Sequence, residues 1–329
     1  MIKKQFAVNF GIFFLCLFAS SRAESDSIHL FILSGQSNMD RLNYKESFLP
    51  AVEAKYSAEN VIVVKDAHGG QPLRRWYFDW EPAEGVPVID NHANSGWYSR
   101  LKEKRGIEPV YSKDGAELIP QGIFYEILME KVFMALGDIK PITITFIWMQ
   151  GESDAAKHYA VYKESLLGLV QQLRDDLNFK NINVVIGRIS DSKLENHGWV
   201  EIRRIQQELG ESGSRWGWVS TDDLNGEANG THFTDSGYVE LGLRFAEKAF
   251  ELNEKNSQTT GSVAKIITKH PVEFNGQNLY FMDDQAYLIK VYNANGKLTY
   301  KINHSGKGTL NLTGFPNFNV FSILTIHSR

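Results

Sequence analysis

The chain has 329 residues, of which 43% are hydrophobic and 22% charged, and its formal net charge at pH 7 is −4. This composition is typical of a globular protein with one large domain or two smaller ones, and it excludes a disordered or fibrous chain. The sequence has no long basic stretch, so nucleic acid is not an expected partner.

Residues 1–23 predict a secretory signal peptide. Two lysines precede an apolar run, and small residues follow it where a signal peptidase cleaves: Lys3 and Lys4, residues 10–18, and Ser21-Arg22-Ala23. The run is short for a helix that spans a bilayer, and Cys16 leaves a lipoprotein anchor as an alternative. Cleavage would remove three cationic residues and the only cysteine, which changes the net charge to about −7 and leaves no disulfide. We therefore expect a secreted, periplasmic or cell-surface bacterial protein with no membrane span after cleavage.

Five apolar runs predict strands buried on both faces, because they are continuous and rich in β-branched and aromatic residues. They cover residues 29–34, 61–65, 142–149, 182–189 and 216–220. Helical patterns lie between and after them, over residues 123–136, 155–177, 199–209 and 237–252. This alternation predicts an α/β fold in which a parallel sheet carries helices on both sides.

Two regions depart from this alternation. Residues 79–121 contain Pro, Gly and several aromatics without a clear period, which indicates a long, partly ordered insertion of the kind that tends to be functional. The composition shifts at residues 253–262, a predicted linker after a domain over residues 24–252. Residues 263–329 alternate apolar and polar positions around two Asn-Gly turns, which predicts a small antiparallel β domain. That domain loosely resembles the C-terminal sorting modules of secreted proteins in Bacteroidetes-type bacteria, and an accessory β domain is the alternative.

Small and polar residues follow four of the predicted strands. Ligands of such sheets bind beyond the carboxyl ends of the strands, so these segments are expected at one edge. They are Gly35-Gln36-Ser37-Asn38, His68-Gly69-Gly70-Gln71, Gln150-Gly151-Glu152-Ser153-Asp154, and Asp222-Asp223 with Thr231-His232-Phe233-Thr234.

These side chains are suited to acyl transfer. Ser37 needs a base such as His232 to remove its proton before it attacks, and a carboxylate helps to hold that histidine. The N–H groups of Ser37 and Gly70 and the amide of Gln150 are candidate donors to the oxyanion. Each feature alone has a simpler interpretation, because Gly-Ser-Asn clusters commonly form turns and a histidine near a helix start can be structural.

Four segments carry a resemblance to a known family: GQSNM at residues 35–39, AHGG at 67–70 with Trp76 after it, WMQGESD at 148–154 and GTHFT at 230–234. Over residues 28–250 the chain resembles the SGNH hydrolase superfamily, and within it the carbohydrate esterases such as acetylxylan esterases and sialate O-acetylesterases. The resemblance implies a three-layer α/β/α fold of flavodoxin-like type, with Ser37 as nucleophile and His232 as general base. It also implies that Ser37, Gly70 and Gln150 form the oxyanion hole, and that acetate is released from sugar hydroxyls without a metal or other cofactor.

One position departs from the pattern of that superfamily. Many members carry an aspartate three residues before the histidine, where this chain has Asn229. An amide cannot stabilise an imidazolium by charge, so the third catalytic residue needs another carboxylate. Glu152 is the predicted replacement, with Asp222, Asp223 and Asp235 as alternatives.

The substrate predicted from the resemblance is an acetylated polysaccharide or oligosaccharide. Trp76, Trp80 and Trp97 are candidate platforms for sugar rings, although aromatics of a long insertion often anchor it to the body instead. Arg74 and Arg75 could meet a substrate carboxylate, and solvated surface charge is the preferred interpretation. The alternatives to an esterase for carbohydrates are a glycan-binding protein without catalysis, motivated by Asn229, and an esterase for lipids or thioesters.

Overall fold

We analysed a computed structural model of the protein. It describes residues 28–257 except 91 and 113, and in the remainder of the chain residues 272–274, 278–282, 284, 286–292, 298–311 and 323–328. The predicted signal peptide and residues 258–262 of the predicted linker lie outside the described residues.

A parallel five-stranded sheet forms the centre of the main domain, as the sequence predicts. Each predicted strand is present within two residues at either end. In chain order the sheet contains β1 (His29–Gly35), β2 (Val61–Ala67), β5 (Thr143–Met149), β6 (Asn183–Gly187) and β7 (Trp216–Val219), while β3 (Val110–Tyr111) and β4 (Glu117–Leu118) form a separate small antiparallel pair. The spatial order in the large sheet is β2-β1-β5-β6-β7.

Seven α-helices occur in the described residues. They are α1 (Ser37–Arg41), α2 (Phe48–Tyr56), α3 (Gly96–Arg105), α4 (Ile123–Leu136), α5 (Tyr162–Asp176), α6 (His197–Glu211) and α7 (Asp235–Ser257). Helices α1 to α3 were not predicted, and α5 begins later than the sequence pattern predicts. The preceding turns pack closely on α6, because a Cβ at Gly198 would lie only 1.9 Å from the carbonyl oxygen of Ala155. Helix α3 lies in the insertion, where Ser95 accepts a hydrogen bond from its first turn and Gly106 ends it in the left-handed conformation.

The strands are buried on both faces because helices cover the sheet from both sides. Successive side chains of a strand point to opposite faces, so Leu30 and Ile32 of β1 belong to one core, and Phe31 and Leu33 to the other. The first core is completed by α4, α5 and α6, and the second by α2 and α7. This three-layer α/β/α arrangement confirms the predicted fold.

The strand order reverses between β1 and β5. The chain leaves β1 toward β2 on one side and later enters β5 on the other side of β1. In sheets of this kind the loops at such a switch point diverge and leave a crevice beyond the carboxyl ends of the two strands. The segments that follow β1 and β5 are those that carry Ser37 and Glu152.

The C-terminal residues that are described form two antiparallel sheets of three strands, in the orders β12-β9-β8 and β11-β10-β13. The strands are β8 (Val272–Phe274), β9 (Asn278–Phe281), β10 (Ala286–Tyr292), β11 (Leu298–Ser305), β12 (Gly308–Asn311) and β13 (Ile323–Ser328). Helix α7 extends five residues into the predicted linker. None of the described helices is both long and apolar enough to span a bilayer.

Candidate active site

Ser37 lies at a sharp turn between β1 and α1. Gly35 has φ +142°, and a Cβ at this residue would lie 2.0 Å from the carbonyl oxygen of Met149 on β5. The backbone N–H of Gln36 donates to that same oxygen at 2.9 Å. Only glycine permits this approach, so the turn fixes Ser37 immediately beyond the paired ends of β1 and β5.

His232 lies in the loop between β7 and α7, and its imidazole faces Ser37. The distance from His232 Nε2 to Ser37 Oγ is 3.0 Å, although 195 residues separate the two in sequence. This is within the range at which an imidazole accepts a hydroxyl proton. Both residues are partly exposed, so the pair is accessible from solvent.

The surroundings of His232 favour its neutral form. Its pKa is lowered from the ordinary value of 6.5, first by partial burial and then by the nearby cations Arg41 and Lys193. Neutral imidazole is the form that accepts a proton, so His232 is suited to the role of general base at neutral pH.

No carboxylate among the described residues is hydrogen-bonded to His232. Asn229 is exposed at φ +43°, and its Oδ1 accepts a hydrogen bond from Asn225 Nδ2 at 2.6 Å. Asp222 is paired with two arginines and Asp223 with a third, so both alternatives are engaged elsewhere. Asp235 is the first residue of α7.

Glu152 is linked to the histidine loop through Asn38. Asn38 Nδ2 donates to Glu152 Oε1 at 2.8 Å and to the carbonyl oxygen of Thr231, the residue before His232, at 3.0 Å. Tyr238 OH donates to Asn38 Oδ1 at 2.9 Å, and Asn38 is fully buried. Sequence reasoning missed Asn38 and Tyr238, although Asn38 directly follows the predicted nucleophile.

Burial raises the pKa of Glu152 to about 7. The hydrogen bond from Asn38 acts in the opposite direction, because it favours the ionised carboxylate. Glu152 Oε2 is buried and has no hydrogen-bond partner among the described residues. The direct orientation of His232 by Glu152 therefore stays a prediction, and the contacts in the structure connect the two residues through Asn38 and the backbone of Thr231.

The glycine pair Gly69-Gly70 lies beside Ser37. A Cβ at Gly69 would lie 3.7 Å from Ser37 Cβ, and Gly70 adopts the left-handed conformation with φ +69°. Both glycines are exposed. The pair thus leaves the approach to Ser37 open on this side, while the donation of the Gly70 N–H to an oxyanion stays a prediction.

Gln150 is fully buried at the end of β5. Its Nε2 donates to Asp154 Oδ2 at 2.5 Å, to the carbonyl oxygen of Gln71 at 3.2 Å and to Gln36 Oε1 at 3.3 Å. Burial raises the pKa of Asp154 to about 6. In this arrangement the amide connects the segments after β1, β2 and β5, and its role as an oxyanion donor stays a prediction.

Two of the three candidate tryptophans are buried. Trp76 and Trp80 are 0% and 1% exposed, and the ring of Trp76 packs on Trp148 with the centroids 5.3 Å apart. Neither ring presents a face to solvent, so the contacts of both are those of core residues. Trp97 of α3 is partly exposed, and sugar binding stays a prediction for that residue.

The expectation that Arg74 and Arg75 are solvated surface charges is wrong. Both are buried and pair with Asp90 of the insertion, Arg74 at 3.2 Å and Arg75 at 2.5 Å. Burial lowers the pKa of Arg75 to about 10, which still leaves it charged. The pairing fastens the insertion to the segment after the glycine pair.

Among the described residues, no group of three or more His, Cys, Asp or Glu is placed to hold a metal ion.

Comparison with known proteins identifies the class to which this site belongs. Residues 27–251 match the family of carbohydrate esterases described as sialic acid-specific acetylesterases. The chain belongs to this family, which confirms the resemblance to the carbohydrate-esterase branch of the SGNH hydrolases. No protein with curated annotation matches the chain.

Three solved structures illustrate the range of similarity. A protein from Arabidopsis thaliana is 19% identical, with a TM-score of 0.42 over 67% of this chain and 96% of its own. A carbohydrate acetylesterase from Xanthomonas citri is 12% identical, with a TM-score of 0.42 over 90% of this chain and 80% of its own. A family two carbohydrate esterase from Cellvibrio japonicus is 14% identical, with a TM-score of 0.37 over 70% of this chain and 62% of its own.

Proposed function

We propose that the protein is a secreted serine esterase that hydrolyses O-acetyl esters on carbohydrates through an acyl-enzyme on Ser37. Membership of the carbohydrate esterase family supports the substrate class. The observation that carries the proposal is the contact of 3.0 Å between Ser37 Oγ and His232 Nε2 at the carboxyl edge of the sheet. Export rests on the predicted signal peptide at residues 1–23.

The proposed reaction has two halves. In the first, His232 accepts the proton of Ser37 as Oγ attacks the ester carbonyl, and the tetrahedral intermediate collapses when the imidazolium returns that proton to the departing sugar oxygen. In the second, His232 takes a proton from water, hydroxide attacks the acetyl-enzyme, and acetate leaves as Ser37 recovers its proton. The backbone N–H groups of Ser37 and Gly70, with the amide of Gln150, are the proposed donors to the oxyanion.

The histidine works without a directly bonded carboxylate in this proposal. Asn38 holds the peptide before His232, and so it fixes the loop rather than the imidazole itself. Partial burial and the cations beside His232 lower its pKa, which keeps the imidazole neutral before the reaction but makes the imidazolium intermediate less stable. We therefore expect a Ser-His dyad whose rate is lower than that of a triad with a charged third member.

The test is acetate release from O-acetylated sialic acid and from acetylated xylan by three variants. Ser37→Ala removes the nucleophile, and His232→Ala removes the base. We expect each to lower kcat/KM by at least about 1000-fold, since nucleophile and base act as one unit. His197→Ala, at an exposed histidine at the start of α6, is the matched control and should retain wild-type activity. Undiminished acetate release by Ser37→Ala would end the proposal.

A second candidate function is glycan binding without catalysis. The observation that favours it is that no carboxylate of the described residues is hydrogen-bonded to His232. Asn229 does not replace one, because its Oδ1 accepts a hydrogen bond from Asn225. Binding of an acetylated glycan to the wild-type protein, with no acetate released from that glycan or from 4-nitrophenyl acetate, would favour this function over the esterase.

A further inference from the structure

A further histidine, His92, lies beside the glycine pair. His92 belongs to the insertion, and a Cβ at Gly70 would lie 3.9 Å from His92 Nε2. A Cβ at the neighbouring Gly69 would lie 3.7 Å from Ser37 Cβ. Because consecutive Cα atoms are about 3.8 Å apart, these contacts place His92 Nε2 within about 14 Å of Ser37 Cβ, across the glycine pair.

The backbone of His92 is held in place. Its carbonyl oxygen accepts hydrogen bonds from Ser95 N at 2.9 Å and from Ser95 Oγ at 2.6 Å, in the turn that begins α3. Two residues before it, the buried carboxylate of Asp90 accepts both hydrogen bonds of Arg75 Nη2 at 2.5 Å and the backbone N–H of Ile119 at 2.8 Å. A side chain on such a fastened turn loses little freedom when it binds a ligand.

The ring of His92 is available to a ligand. It is partly exposed, and its nitrogens make no hydrogen bond within the described residues. The indole of the partly exposed Trp97 lies beside it, with the ring centroids 6.2 Å apart. An aromatic ring next to a single polar group is a common arrangement in sites that orient a small ligand, because the ring packs on apolar surface and the polar atom fixes the orientation.

We infer that His92 is a specificity-determining residue that hydrogen-bonds a hydroxyl of the sugar bearing the acetyl ester, with Trp97 packed against the same sugar. This inference rests on the proposed function and deepens it, since it assigns the insertion a role in recognising the alcohol side of the ester. It also gives a reason for the buried pairing of Asp90, which holds the turn of His92 over Gly70.

The kinetic test compares a sugar ester with an ester that lacks a sugar. His92→Ala should lower kcat/KM on O-acetylated sialic acid or on acetylated xylo-oligosaccharide about 5- to 10-fold more than on 4-nitrophenyl acetate, mainly through KM, because one neutral hydrogen bond is lost. His92→Gln places an amide near the position of Nε2 and should recover part of the loss. An equal change on the sugar esters and on 4-nitrophenyl acetate would overturn the inference, because the residue would then be structural.

A binding measurement separates failure of this inference from failure of the proposed function. Ser37→Ala cannot form the acyl-enzyme, so calorimetry on this variant measures binding alone. We expect it to bind one of the two acetylated glycans, and the Kd to rise about 5- to 10-fold when His92→Ala is added. This result would support the subsite even if the wild-type protein released no acetate. Equal affinity with and without His92→Ala, or no binding of either glycan, would overturn the inference whatever the outcome for Ser37.

Discussion

The serine side and the histidine side of the site are held in different ways. Ser37 follows a turn in which Gly35 and Gln36 contact the backbone of β5, so its position is set by the paired strands themselves. His232 lies in a loop, and within the described residues its ring has Ser37 as its one hydrogen-bonding partner. The hydrogen bond from Asn38 reaches the backbone before His232 and not the imidazole.

This difference indicates how the geometry of the pair is maintained. Ser37, the proposed nucleophile, is positioned by the core of the sheet, which tolerates little change. His232, the proposed base, lies in a loop whose backbone is held by the buried amide of Asn38. We therefore expect substitutions on the histidine side to change the rate and its pH dependence, and the largest effect to come from the residue that connects the two sides.

Asn38→Ala should have the largest effect of the three substitutions discussed below. It removes the donor to Glu152 Oε1 and to the carbonyl oxygen of Thr231, and it also leaves Tyr238 OH without its acceptor. We expect a loss of about 3 kcal/mol in the free energy of unfolding and a fall of about 100-fold in kcat with little change in KM, since the base is displaced. Urea denaturation and steady-state kinetics on 4-nitrophenyl acetate measure the two quantities.

Asn43→Ala is the matched control for Asn38→Ala. Asn43 is exposed, and its Nδ2 donates to Glu46 Oε1 at 2.6 Å on the surface. Its replacement should change the free energy of unfolding by no more than about 0.5 kcal/mol. Wild-type kcat in Asn38→Ala would show that the bond to Thr231 does not position His232.

Glu152→Gln should have an intermediate effect that depends on pH. The pKa of Glu152 is about 7 in the folded protein against an ordinary 4.5, so the folded state binds more protons than the unfolded state between these values. The stability that protonated Glu152 contributes to the wild type is therefore lost as pH rises through this window. The amide of the variant has no proton to release, so the variant shows no such loss. Between pH 4.5 and pH 7.5, we expect the free energy of unfolding of the variant to rise by about 2–3 kcal/mol relative to that of the wild type.

The measurement for Glu152→Gln is the free energy of unfolding of both proteins at those two pH values. Asp154, whose pKa is also raised, is present in both proteins. The same variant also tests the triad predicted from the sequence. A fall in kcat of about 100-fold or more at pH 7.5 would show that the carboxylate acts on His232, and a much smaller change would agree with the link through Asn38.

Much of the fold was predictable because it depends on local patterns. Strands buried on both faces have continuous apolar runs, so the five parallel strands were correctly located. The start of α5 was not correctly located. Residues 155–161 have helical periodicity but are held in turns against α6. Tertiary packing of Gly198 on Ala155 decides the conformation there, and the periodicity of the sequence does not record that contact.

The sequence brought Ser37 and His232 together as candidates, but it did not indicate the contacts of Asn38 that link them to Glu152. Ser37 and His232 were identified by residue type and by their position after strands. The bonds of Asn38 to Glu152 and to Thr231 span 114 and 193 residues, and no local pattern indicates them. The insertion has no period at all, so neither the burial of Arg75 against Asp90 nor the position of His92 follows from sequence alone.

Lys193→Gln should have the smallest effect, and it acts on the base by charge alone. The Lys193 cation lowers the pKa of His232, with partial burial as the larger cause and Arg41 as a further one. Activity requires neutral imidazole, so kcat/KM should fall as pH drops through the pKa of His232, which lies below its ordinary value. Loss of the Lys193 charge raises that pKa, and the acidic limb of the pH profile should move to higher pH.

The direction of this shift tests whether the titrating group lies beside Lys193, whose charge lowers the pKa of both His232 and Glu152. Lys180→Gln is the control, because Lys180 is an exposed residue between α5 and β6, at the opposite edge of the sheet from Ser37. High salt should reduce the difference between Lys193→Gln and the wild type, since it screens exposed charges. A limb that moved to lower pH, or that moved equally in both variants, would mean that the group titrating in the profile is not an imidazole beside Lys193. The proton of Ser37 would then have to leave by another route, although the serine side of the site would be unchanged.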